Sequence, residues 1–127
     1  MVDEIQFKKR TKQLALRTIK LVESLPQSMT ADVLGKQLLR AATSVGANYR
    51  AVCRAKSTAD MVNKLRIVEE EADESGYWLE LIGESELMKP DRLNELMSEF
   101  DQIVAMVVAS QKTLRANNPK SKIENPK

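Results

Sequence analysis

Four stretches of this chain repeat apolar residues every three to four positions, and each is closed by a proline or a polar turn. That period admits little except a bundle of amphipathic helices. In the first stretch, from about Ile5 to Leu25, Phe7, Leu14, Leu21, Val22 and Leu25 fall on one side when successive residues advance about 100°. Pro26 ends it. The second reads from about Ala31 to Arg54, with Thr30 as the expected cap and Leu34, Leu38, Ala41, Val45, Tyr49 and Val52 on one stripe. Ser57 stands three residues before Asp60, a spacing that opens a third helix by satisfying its free backbone donors. Met61, Leu65, Val68, Ala72, Leu79 and Ile82 form its core stripe, which continues to about Glu84. Pro90 then breaks the chain. The fourth helix, about Asp91 to Ala116, turns Leu93, Leu96, Phe100, Ile103, Val104, Val107 and Leu114 inward.

Short connections make neighbouring helices antiparallel, so the expected fold is all-α, an antiparallel up-and-down four-helix bundle over residues 1–116. A chain of 127 residues, 43% of them apolar, closes one core and leaves too little for a second domain. The remaining residues, 117–127, are polar, twice interrupted by proline and carry Ile123 as their one large apolar side chain, a composition that predicts disorder.

Several kinds of chemistry lack the residues they need. There is no histidine, and a di-iron bundle requires a Glu with His three positions later on two helices. Cys53 is the single cysteine, so neither a disulfide nor a Cys-based metal site can form within the chain, and no histidine is present to activate it. The run Glu69, Glu70, Glu71, with Asp73, Glu74 and Glu80, is adjacent in sequence but diverges around a helix, which reads as an acidic flank for ion pairing. No glycine-rich phosphate loop occurs. The expectation is therefore a protein without a catalytic site, metal or cofactor. The N-terminal residues lack the basic start and apolar core of a signal peptide, and no apolar run approaches the roughly 18 residues of a membrane span. A cytoplasmic protein that does not enter a membrane is expected.

With 20 basic against 18 acidic residues, any case for a polyanionic partner must rest on segregation of charge. Lys36, Arg40, Arg50 and Arg54 fall within about 80° of one another on the second helix, opposite its apolar stripe. Lys56 and Lys64 extend the ridge. Arginine's forked donors suit phosphate oxygens, so this is the candidate nucleic-acid surface. The competing reading, which spacing alone favours, uses the same residues in ion pairs with the acidic third helix. Tyr49 and Tyr77 read as packing residues, and so few aromatics disfavour single-strand stacking. Ile67, Trp78 and Leu81 lie almost opposite the third helix's core stripe, and Leu16 and Ile19 leave the first helix's inward stripe. That excess of apolar surface predicts a subunit interface.

The segment from Gln37 to Ser57, QLLRAATSVGANYRAVCRAKS, and the segment from Ile67 to Leu81, IVEEEADESGYWLEL, closely resemble the 23S ribosomal RNA intervening-sequence protein family. The resemblance runs from Phe7 to about Leu114 and is most specific over Arg40 to Ser57. It implies an up-and-down four-helix bundle assembled as a ring of five subunits, often with a central channel. Some members are encoded within insertions of large-subunit ribosomal RNA genes. A related branch is similar to the accessory proteins of diversity-generating retroelements, which bind nucleic acid and a reverse transcriptase. The resemblance carries over Arg40, Asn48, Arg50 and Arg54 as polar motif positions, with Glu70 and Asp73 as their acidic partners. The expected function is a bacterial, pentameric bundle that binds RNA or DNA. The alternative is a structural ring, such as a reverse-transcriptase docking partner, whose arginines are consumed in ion pairs.

Overall fold

A computed structural model describes residues 3–117; the expected disorder of the tail lies almost wholly outside them. Four helices follow one another: α1 (Glu4–Glu23), α2 (Met29–Val52), α3 (Thr58–Glu84) and α4 (Pro90–Ala116). Among the described residues there is no strand. Each helix packs on the next, and α1 meets α4 over a narrower seam that closes the bundle.

Local chemistry sets the helix ends. Asp3 caps α1 by accepting from the Ile5 and Gln6 amides, at 2.9 and 3.2 Å. Ser28 caps α2, accepting from the Ala31 amide at 3.0 Å; the expected cap Thr30 lies inside the helix, which begins at Met29 rather than at the expected Ala31. Ser57 caps α3 through the Asp60 amide at 3.1 Å, and the Asp60 carboxylate returns to the Lys56 amide at 3.0 Å. Pro90 both breaks the chain and opens α4, where its missing donor costs nothing and its fixed φ suits the first turn. At the end of α3, Glu86 adopts φ 65°, with its amide donating to Gly83 and the Leu87 amide donating to Ile82. This is the Schellman closure, normally assigned to glycine.

The expected stripes form the core. Leu38, Ala41, Val45, Leu65, Val68, Ala72, Leu79, Ile82, Leu93, Phe100 and Ile103 are fully buried, and Phe7 packs on Tyr49 with ring centroids 4.5 Å apart. Leu21, Val22, Leu25, Leu34, Met61, Val104 and Leu114 pack around its edge, half-buried. Three of the buried hydroxyls join the core without crossing it. Thr11 donates to Phe7 and Lys8, Thr18 to Leu14 and Ser75 to Glu71, each within its own helix.

The seams differ in chemistry. Arg10 on α1 donates to Glu99 at 3.1 Å and Gln102 at 2.6 Å on α4, and Arg17 reaches Glu95 at 3.0 Å. Between α3 and α4, the half-buried Glu69 accepts from Gln111 at 2.8 Å. The α1–α2 seam instead depends on close approach: Gly46 sits against Thr11, where a methyl group would stand 3.2 Å from Oγ1. No helix among the described residues is long and apolar enough to cross a membrane.

Candidate nucleic-acid interface

The basic ridge of α2 divides between two neighbours. Arg40 turns toward α3, donating to Glu71 at 3.4 Å and to Glu74. Its partners are thus the carboxylates on the α2-facing side of α3; the expected Glu70 and Asp73 point to solvent. A single step of about 100° separates Glu70 from Glu71, enough to move a side chain from the seam to the open face. Lys36 pairs with Asp32 at 3.2 Å and Lys64 with Asp60 at 2.8 Å, both within their own helices. Asn48 donates to the Ser44 carbonyl at 2.8 Å.

Arg50 and Arg54 lie on the other flank, exposed, and make no ion pair among the described residues. They form one wall of an open cleft of about 820 Å³ between α1 and α2. Lys8, Lys9 and Lys12 of α1 form the opposite wall, and no acidic residue lines the cleft. Lys8 is tied to Glu4 at 3.4 Å; Lys9 and Lys12 have no such partner among the described residues. The floor consists of Thr11, Ala15, Thr43, Gly46 and Ala47, small residues that let a ligand approach the helix surfaces.

The ridge visible in the sequence of α2 does not include the lysines of α1, because one helix's face does not show what lies opposite it. Their own spacing held a clue. Lys8 and Lys12 are one turn apart on the flank that meets Gly46, but only the pairing of α1 with α2 brings them opposite Arg50 and Arg54.

Cys53 lies half-buried at the end of this seam. Burial first, then its contact with the Glu4 carboxylate, pushes the thiol above its ordinary value of 9.0. Burial chiefly, with the adjacent Cys53, raises the Tyr49 phenol as well. Both groups stay neutral near pH 7, so neither contributes negative charge to the cleft. Among the described residues no group of three potential ligands could hold a metal ion.

The apolar residues expected at a subunit interface divide too. Leu16 and Ile67 are 45% and 43% exposed, whereas Ile19 and Leu81 are half-buried. Trp78 also packs partly on its own bundle; its indole donates to Glu74 at 3.2 Å and meets the exposed Tyr77 edge-to-face at 5.1 Å. Glu74 thus joins Arg40 and Trp78.

Comparison with known proteins agrees with this architecture. No curated protein matches the chain. A solved structure, that of a protein of unknown function from the S23 ribosomal protein family of Bacteroides thetaiotaomicron, superposes with a TM-score of 0.77 at 33% identity. The match covers 83% of this chain and 97% of that one. The family model described as 23S rRNA-intervening sequence protein matches residues 3–109, and the chain belongs to that family.

Proposed function

We propose that this protein is a non-enzymatic, self-associating bundle that binds nucleic acid by its phosphates in the α1–α2 cleft. The carrying observation is the facing of Arg50 and Arg54 by Lys8, Lys9 and Lys12 with no carboxylate in the lining. Arginines committed to the fold behave differently, as Arg40 does with Glu71 and Glu74. The ligand contacts belong to Arg50 and Arg54; Lys36, Arg40 and Lys64 serve the helices. The family description names a ribosomal RNA intervening sequence, which makes structured RNA the first ligand to test.

The second reading, a protein-interaction ring, draws support from the exposed apolar residues Leu16, Ile67 and Tyr77. It includes a homopentamer and docking to a reverse transcriptase. The two readings separate in one experiment: anisotropy of labelled structured RNA and duplex DNA from about 50 to 300 mM salt, with assembly mass determined alongside. Binding that weakens steeply with salt and falls at least about tenfold in Arg50→Ala/Arg54→Ala supports the nucleic-acid reading. A stable oligomer with no binding at low salt refutes it in favour of the ring.

A further inference from the structure

Resting on that reading, we infer that the cleft selects double-stranded nucleic acid, held by consecutive phosphates of one strand, over single strands. Single-strand sites add aromatic platforms to positive charge, because stacking supplies about 1–3 kcal/mol per base. This cleft has no aromatic residue in its lining. Phe7, Tyr49 and Phe100 are buried in the core, and Tyr77 and Trp78 lie on α3. The floor adds no free hydroxyl donor to the cationic walls. The two hydroxyls of the floor donate to their own helices, Thr11 to Phe7 and Lys8, and Thr43 to Leu39 and Arg40. A splayed base therefore finds neither an aromatic face nor a free hydroxyl donor in the lining.

The cations are placed for a backbone instead. The α1–α2 register is fixed by Gly46 against Thr11 and Tyr49 against Phe7. It spreads the charged walls from the level of Gly46 to that of Arg54, about 12 Å at 1.5 Å per residue. Neighbouring phosphates of one duplex strand are about 6–7 Å apart through space, because the strand winds as it rises, so this strip spans about two or three of them. A duplex brings its phosphates already ordered and at twice the linear charge density of one strand, whereas a flexible strand must be ordered on binding without stacking to offset the entropy. Because the walls are built for phosphate contacts, which both duplexes offer, duplex RNA and duplex DNA compete on similar terms.

The test is competition at about 100 mM salt, using the full-length protein and a labelled duplex of about 20 base pairs, about 68 Å long and so well beyond the strip. Competitors are unlabelled duplex RNA, duplex DNA and unstructured oligo-uridine of equal length. Expected is at least about tenfold preference for either duplex over oligo-uridine, with the duplexes within about threefold of each other. Charge reversal on the opposite wall, Lys9→Glu/Lys12→Glu, should weaken duplex binding as strongly as Arg50→Ala/Arg54→Ala while helicity is unchanged. Oligo-uridine competing as well as the duplexes overturns the inference but leaves nucleic-acid binding standing. Undiminished duplex binding in both wall variants overturns it by placing the site elsewhere. If no nucleic acid binds even at about 50 mM salt, the underlying reading falls and the inference with it.

Discussion

Gly46 allows the packing of α1 on α2 to be tested through a change of sign. Replacing a helical glycine by alanine ordinarily stabilises by about 1 kcal/mol, by restricting the unfolded chain and improving helix propensity. Here the new methyl would stand 3.2 Å from Thr11 Oγ1 and 3.5 Å from its Cβ. Thr11 is buried, and its hydroxyl is held by the Phe7 and Lys8 carbonyls at 3.0 and 3.1 Å, so it has little room to yield. Overpacking of this kind costs about 1–3 kcal/mol, which outweighs the propensity gain. Gly46→Ala should therefore destabilise by about 1 kcal/mol, the difference between these effects. In a Thr11→Ala background the crowding oxygen is gone and ordinary contacts at 3.5 and 3.7 Å remain. There the same substitution should stabilise by about 1 kcal/mol, giving a coupling of about 2 kcal/mol across the cycle. Urea denaturation at fixed protein concentration measures this, since 1 kcal/mol moves the midpoint by about half a molar. A stabilising Gly46→Ala in the parent protein, or an equal effect in both backgrounds, refutes the reasoning.

Two further outcomes follow from local geometry. Glu86 occupies the left-handed conformation at φ 65°, so Glu86→Gly should stabilise by about 1 kcal/mol in the same assay; a loss would show that its side chain contributes more than its backbone costs. Because the Cys53 thiol is raised above 9.0, its alkylation rate should still be climbing at pH 9, and Glu4→Gln should move the profile to lower pH; a plateau near about pH 8 would refute the assignment.

The architecture was legible because it depends on features within each helix: the stripe of α2 from Leu38 to Val52 is buried as its period requires, and Ser57 caps α3. Thr11, Thr18 and Ser75 escaped that reading because they are polar by composition, yet bury easily once their hydroxyls bond to their own turn. The candidate site was only half legible for a different reason. Lys36, Arg40, Arg50 and Arg54 share one face of α2, but a face has two neighbours, and no intrahelical pattern says which residue meets which. Arg40 went to α3, while Arg50 and Arg54 opened onto the lysines of α1. Trp78 could not be placed by angle alone, because an indole at the edge of a stripe can fold back onto its own bundle and donate to Glu74.

The buried hydroxyls bear on how firmly the helices are held against sliding. Thr11, Thr18 and Ser75 each return to their own backbone, so these interior hydrogen bonds pin none of the helices to another along the axis. A slip of one turn, about 5.4 Å, would leave all three intact. Axial register is then set by the alternation of bulk in the core, Ala41, Ala42 and Ala72 among Phe7, Phe100 and the leucines, together with the tethers from Arg10, Arg17 and Arg40 at the rim and from the buried Gln111. Enlarging one of those alanines would therefore disturb more than local packing: it would remove a landmark by which the helices recognise their alignment, favouring an ensemble of shifted bundles over a single misfolded one.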